Sequence, residues 1–406
     1  MKIMKKIFFS LFIFLVFFFP LSIKALEIYS ENAILYNLNE DTVLFSKEPD
    51  EKVPIASLTK IMTAIVAIEN ISNLDEVVNI PSVALEGLAE KNAMVVGFKA
   101  NERVTYRDLL YGILLPSGAD ATNTITFYLA GNEENYVNLM NKKALELGLV
   151  NTHFTDTSGL DDYHNYSTVA DVAKLLKYAI QNETFKKIFI SQEYTTSNGL
   201  KLESTLTYYT EKYHLQNEYI YGSKTGFTTI AGFCLASIAH YDGVEYLLVT
   251  TGAPTTNRYP YHFVDAFSIY DYFMEHYGNI SIYREGEVLY TLKTKYSKEE
   301  TYEIKAQNSF SMYLPKDINL EDIHFEYSGI EEITPFTPKE NIGTLSIYLN
   351  DEFLNSIDII YQGGLTFSIS ELLEEYHFLV LGFLFVFLVF FLLFKRNKLK
   401  HKKKKV

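Results

Sequence analysis

The chain reads as an α+β domain, followed by a small β-rich domain and a single C-terminal transmembrane helix. Three observations carry that reading. Runs with helical spacing between about residues 57 and 180 are bracketed by strand-like segments. From Gly278 to about Gln362 the pattern turns to short alternating segments such as Thr344-Leu-Ser-Ile-Tyr-Leu349. Near the end, Phe378 to Phe394 is seventeen residues without a charge.

In chain order, basic Lys2, Lys5 and Lys6, an apolar run from Ile7 to Phe19, then Pro20 and small Ala25 form a secretory signal, with cleavage expected after Ala25. An uncleaved anchor is the alternative, although thirteen apolar residues are short for a span. Ala33–Tyr36 and Thr42–Phe45, separated by Asn-Leu-Asn-Glu-Asp, are expected to open the first domain as a β-hairpin. Leu58, Ile61, Met62 and Ile65 recur at helical spacing, so a helix is expected from Ser57 to Ile68. A second is expected over Tyr106–Leu115, stopped by Pro116-Ser117-Gly118, a third from Ala119, and another over Ala170–Ile180.

After Tyr219 strands are expected over Phe227–Ile238 and, beyond the Asp242-Gly243 turn, over Val244–Thr251. Phe263–Tyr277 reads as a closing helix. The expected layout is therefore a signal over 1–25, a first domain over 26–277, a β-rich domain over 278–370, a span over 378–394 and a basic tail over 395–406. As a helix the span covers about 25 Å, the low end of what crosses a bilayer core. Lys395, Arg396 and the lysines beyond place the tail in the cytoplasm by the positive-inside rule, and the first domain outside the cell membrane.

The net charge of −14 hides an asymmetry. Setting aside the twelve basic residues of the two ends leaves 24 Lys and Arg against 50 Asp and Glu. So acidic a body argues against nucleic acid as a partner. The single cysteine, Cys234, cannot form an internal disulfide and reads as a small core residue on a half-buried strand. The nine histidines form neither His-Glu-x-x-His nor another compact ligand cluster, so no metal and no cofactor are expected.

Three short motifs carry the chemistry: Ser57-Leu-Thr-Lys60, Ser117-Gly118-Ala119 and Lys224-Thr225-Gly226. Positions i and i+3 share a helix face, which sets a hydroxyl beside a lysine. A serine needs a base to attack, and a buried lysine near a second cation is a better one because its pKa falls. At a helix start, Ser57 also gains N–H groups able to hold an oxyanion. In isolation Ser57 reads equally as a helix cap and Lys60 as a solvated lysine. Ser117, at the break after Pro116, can relay a proton or simply cap a helix. Lys224 and Thr225 open a strand where an ammonium and a hydroxyl can grip a carboxylate, and Gly226 lets a substrate lie against the strand edge. The rival reading is a plain turn and strand. The order of the three motifs favours the catalytic one.

With these motifs the sequence resembles the low-molecular-weight penicillin-binding proteins, the serine D-alanyl-D-alanine carboxypeptidases, from about Ile28 to Tyr277. The likeness extends to Pro54-Ile-Ala-Ser-Leu-Thr-Lys60, Leu115-Pro-Ser-Gly118, Asn151-Thr-His-Phe154, Ser158-Gly-Leu-Asp161, Tyr166-Ser-Thr168 and Ser223-Lys-Thr-Gly-Phe227. It implies a DD-peptidase/β-lactamase-like fold that removes the terminal D-Ala from peptidoglycan stem pentapeptides and is acylated by β-lactams. It also implies that Ser57 forms the acyl-enzyme, Lys60 is its base and Ser117 the proton relay. Lys224 and Thr225 would hold the terminal carboxylate, with the N–H groups of Ser57 and Phe227 as oxyanion hole. A related endopeptidase, a β-lactamase and a wall-binding protein with impaired turnover are the alternatives.

One departure stands out. The family's middle motif usually ends in Asn, and this chain has Ala119. Asp120 and Asn123 lie close enough in sequence to compensate. Asn123 is the better candidate, because an anion at Asp120 would keep Lys60 protonated. On that reading Asn123→Ala lowers D-Ala release by at least about tenfold.

Overall fold

The computed structural model describes residues 26–160 and 162–403. The expected signal over 1–25, Asp161 of the Ser158-Gly-Leu-Asp161 run and the last three residues of the basic tail lie outside the described residues. The chain divides into two compact units, with the break between Glu275 and His276.

The first unit is built on a five-stranded antiparallel sheet in the order Thr42–Lys47, Asn32–Asn37, Val244–Ala253, Gly232–Tyr241, Ile220–Thr228. The central strand Val244–Ala253 is apolar along most of its length because the sheet is covered on both faces. Helix α5 (Val169–Ala179) packs against the central strands. Helix α8 (Tyr261–His276) brings Tyr270 against Tyr246 and Ser237, and Phe273 against Phe45.

The helical part holds α1 (Thr59–Asn70), α2 (Tyr106–Leu114), α3 (Ala119–Ala130) and α4 (Glu133–Glu146). α6 (Glu183–Phe189) and α7 (Thr205–Tyr213) follow α5. α1 is apolar nearly all round, and its residues from Thr59 to Ala67 are all buried, so it is the central helix of the core. α2 begins at a capping box, with Thr105 Oγ1 accepting from the Asp108 N–H and Asp108 accepting from the Thr105 N–H. The break after α2 and the glycine stop of α3 at Gly131 (φ 80°) set the positions of Ser117 and α3.

The expected hairpin and the helices after Tyr106 and Ala119 stand close to the positions read from sequence. Two readings are corrected. The run Phe227–Ile238 is two strands joined by a turn at residues 229–231, with Gly232 at φ 67°. No Asn-Gly or Pro-Gly signal marks that turn. Ser57 does not start an α-helix: it lies in a 3₁₀ turn, Ala56–Leu58, from which α1 continues. Cys234, read as a small core residue, is fully buried in the sheet.

The second unit is a set of strands paired antiparallel except for Glu332–Ile333, which runs parallel to Val288–Thr294. Tyr277–Tyr283 pairs with Phe310–Pro315, and Val288–Thr294 with Thr301–Lys305. Asn341–Leu349 lies between Ile323–Gly329 and Glu352–Ile360. Leu292, Ile304, Ile333, Ile342, Leu345, Ile359 and Tyr361 form its core. The same unit ends in α9 (Ile369–Lys403). Its first two turns are tied to the strands by Lys295 to Glu375 (2.8 Å), the Tyr296 and Tyr376 hydroxyls (3.1 Å) and the Ser297 N–H to Glu371 (3.2 Å). Within Ile369–Lys395 an eighteen-residue window reaches a mean hydropathy of 2.9, so the stretch is long and apolar enough to cross a bilayer.

Candidate active site

Ser57 is placed by a tight turn. Ala56 before it has φ 46°, a left-handed conformation that an alanine adopts only when its surroundings impose it. Three residues on, Lys60 is buried on α1 and its Nζ donates to Ser57 Oγ at 3.0 Å. The i, i+3 spacing therefore does bring the hydroxyl and the amine together. Lys60 Nζ also donates to the Ser158 carbonyl at 2.7 Å, and Ser57 Oγ to the same carbonyl at 3.4 Å.

Burial brings Lys60 down to about 8, against the pull of Asp156 and Asp120, whose charges favour the ammonium. An amine poised there is substantially neutral at mildly alkaline pH. Ser117 has φ 69° and lies in the break between α2 and α3, with a buried hydroxyl that has no hydrogen-bond partner. An unpaired buried hydroxyl is costly unless it serves something else.

The other wall is the edge strand Ile220–Thr228, which packs on the 3₁₀ turn of Ser57. Lys224 is completely buried and its Nζ donates to the Thr225 carbonyl at 2.7 Å. Burial, and then the charge of Lys60, hold it well below the usual lysine range. Thr225 is buried beside it, and Phe227 is 47% exposed at the strand's open end. A Cβ built on Gly226 would stand 3.0 Å from both the Ser57 amide nitrogen and the Ala56 Cβ. Glycine is what allows the strand this close to the turn that carries Ser57.

A third wall, formed by residues 156–160, carries no role in the sequence reading. Gly159, at φ 76°, is pressed so hard on the turn that a Cβ would fall 1.8 Å from the Ala56 carbonyl oxygen. Thr63 Oγ1 donates to the Thr157 carbonyl (2.7 Å), and Asn165 donates to Thr59 Oγ1 (3.0 Å). The Ser158-Gly159 pair was the only local signal of this wall. The carbonyl it presents is a backbone group, which side-chain motifs do not reveal.

The middle motif corrects one expectation. Asn123 does not stand in for the missing amide of Ala119: its Nδ2 donates to the Ala84 carbonyl at 3.0 Å. Asp120 is likewise committed. It accepts from the N–H groups of Val96 (2.8 Å), Gly97 (2.9 Å), Phe98 (3.1 Å) and Ala121 (2.9 Å). The Ala119 N–H donates to the Met94 carbonyl at 2.7 Å. The segment Met94–Phe98 is thus fastened across the start of α3.

Comparison with known proteins fits this geometry. The sequence model of the D-alanyl-D-alanine carboxypeptidases matches residues 20–255. The D-alanyl-D-alanine carboxypeptidase DacF of Bacillus subtilis is 26% identical over 80% of this chain and 83% of its own length. A D-alanyl-D-alanine endopeptidase of Escherichia coli is 32% identical over 59% of this chain and 76% of its own. Among solved structures, penicillin-binding protein 5 of Haemophilus influenzae superposes with a TM-score of 0.62 at 23% identity, covering 84% of this chain and 98% of that one. The Streptomyces K15 DD-transpeptidase does so at 0.54 and 28%, covering 61% and 97%.

Proposed function

Since the chain belongs to the peptidase S11 family of D-alanyl-D-alanine carboxypeptidases, we propose that Ser57, Lys60 and Ser117 hydrolyse the terminal D-Ala from peptidoglycan stem pentapeptides. The protein is a serine-type D-Ala-D-Ala carboxypeptidase; the assignment of its site residues is our own. The observation that carries it is the 3.0 Å contact between Ser57 Oγ and a buried Lys60 held near 8.

Ser57 Oγ attacks the carbonyl carbon of the penultimate D-Ala, and its proton passes to neutral Lys60 Nζ. The tetrahedral oxyanion is held by the N–H groups of Ser57 and Phe227. The C–N bond then breaks, and the leaving D-Ala amine takes the proton from Lys60 through Ser117 Oγ. Water attacks the ester, returns a proton through Lys60 and frees Ser57. Lys224 and Thr225 grip the terminal carboxylate, whose charge restores the Lys224 ammonium. Gly226 allows the peptide to lie along the strand edge.

A β-lactam resembles the acyl-D-Ala-D-Ala terminus, and its opened ring stays esterified to the serine. Mass spectrometry of the penicillin-treated protein should show one adduct, at Ser57, and none in Ser57→Ala. An adduct elsewhere, or turnover in that variant, overturns the assignment. The likeness to an endopeptidase makes cross-bridge cleavage the second reading. Incubation with a pentapeptide and with a cross-linked dimer separates the two.

We also place the first unit outside the cell, anchored by α9, because Lys395 and the basic residues after it follow the apolar run directly. In intact cells external protease should spare a tag after Val406. Digestion of the tag without lysis reverses the orientation.

A further inference from the structure

Asp156, a half-buried carboxylate acting on Lys60, takes no part in the proton transfers above. Asp156 opens the third wall. Its Oδ1 accepts from the N–H groups of Ser158 (2.6 Å) and Gly159 and, more weakly, of Leu160 (3.4 Å). Its Oδ2 is buried with no hydrogen-bond partner at all. A carboxylate oxygen without a partner is an expensive thing to bury, and it is rarely kept for packing alone.

The three amides it gathers belong to the segment whose Ser158 carbonyl accepts from both Lys60 Nζ and Ser57 Oγ. That carbonyl is the other hydrogen-bond partner of Lys60 besides the nucleophile. We propose that Asp156 is a positioning residue for the reaction: it aims the Ser158 carbonyl at Lys60 and supplies the negative charge against which Lys60 gives up its proton. This rests on Lys60 acting as the base of Ser57.

The charged surroundings are few. Asp156 faces Lys60 from α1 and Glu133 from the first turn of α4, whose Oε1 is taken up by the Thr157 N–H and hydroxyl. Lys60 faces Asp156, Asp120 at the start of α3, and Lys224 on the edge strand. Asp162, farther along the same segment, accepts from Thr155 Oγ1 and the His164 N–H. Asp120 has four N–H partners, whereas Asp156 keeps one oxygen bare. Of the two carboxylates acting on Lys60, Asp156 is the less compensated. Its charge acts on the lysine more strongly than that of Asp120, and burial raises its own carboxyl while the Ser158 and Gly159 N–H groups, and then Lys60, draw it back.

The test compares Asp156→Asn with Asp156→Ala by the pH dependence of penicillin acylation at saturating antibiotic. Asparagine keeps an oxygen for the three N–H groups and removes the charge. Lys60 then loses its proton more easily, so the rising limb of the profile should move to lower pH by about half a unit or more. Alanine also frees the loop, and acylation should fall by about tenfold or more across the whole range. The proposal is overturned if the asparagine variant titrates like wild type, if it fails to fold, or if the alanine variant acylates normally. Labelling of the wild-type protein at Ser57 is scored in the same experiment. Its absence would fail the base assignment itself, separately from the role of Asp156.

Discussion

Gly226 and Ser57, 169 positions apart in the chain, lie so close that a Cβ on the glycine would stand 3.0 Å from the serine's amide nitrogen. The Ile55 carbonyl oxygen is next, at 3.2 Å. Both are backbone atoms of the turn that carries Ser57, so they cannot swing aside as a flexible side chain would. Gly226→Ala should therefore displace the turn by a few tenths of an ångström and narrow the channel for substrate. We expect acylation to fall by about 10- to 100-fold with little change in the thermal midpoint. Stopped-flow acylation with a chromogenic β-lactam measures the first and a melting curve the second. Normal acylation would mean that the strand and the turn move independently.

The second expectation concerns pH. As the proposed base of Ser57, Lys60 can accept a proton only when neutral, and burial holds it near 8 rather than 10.5. The neutral fraction therefore rises as pH increases through about 8, and at pH 7 it is about one tenth. The acylation rate at saturating β-lactam should climb about fivefold from pH 7 to 8 and level off above 9. A flat profile over that range would remove Lys60 as the base. Lys60→Arg, whose charge is permanent, should lose the reaction altogether.

Asn123 separates sequence reasoning from structure. Its amide donates to the Ala84 carbonyl, which fastens the 3₁₀ segment Ser82–Leu85 to α3. Removing one hydrogen bond of this kind costs about 1 kcal/mol. We expect Asn123→Ala to lower the unfolding midpoint slightly and to leave D-Ala release within about threefold of wild type. A larger loss of activity with an unchanged midpoint would return the residue to the site.

What was legible in the sequence was local. Ser57 and Lys60 announce themselves because three residues make one helical turn, and Phe378–Phe394 because a bilayer demands an unbroken apolar run. The opening hairpin follows from alternation around a polar turn. What was hidden was non-local or made by the backbone. Ser158 contributes a carbonyl that any residue has, and it reaches Lys60 from 98 positions away. Asp156 looks like an ordinary loop acid until its three N–H partners are seen. The turn at residues 229–231 lacks the usual turn residues, so two strands read as one. The polar start of α9 is held by Lys295, Tyr296 and Ser297, contacts that no periodicity in the helix reveals.

The last prediction lies away from the chemistry, at the start of α8. His262 is fully buried, stacked on Phe233 (centroids 4.7 Å apart) and edge-on to Tyr209 (5.2 Å). Neither ring nitrogen has a hydrogen-bond partner. Burial in this apolar box pushes the imidazole down to about 3, so it stays neutral in the folded protein. Unfolded, the same ring protonates at about 6.5. Below 6.5 the unfolded chain thus binds a proton that the folded one refuses. The stability is intact above 6.5 and drains away as pH falls toward 3, by about 1.4 kcal/mol per pH unit. Between pH 7 and pH 5 this single ring should account for about 2 kcal/mol of lost stability. His262→Phe removes the titration and two unpaired polar atoms, and keeps the stack. Urea unfolding at the two pH values should show a smaller loss for the variant by that amount, and a gain over wild type at pH 7 as well. If both proteins lose stability equally between pH 7 and pH 5, the acid sensitivity of the fold lies elsewhere.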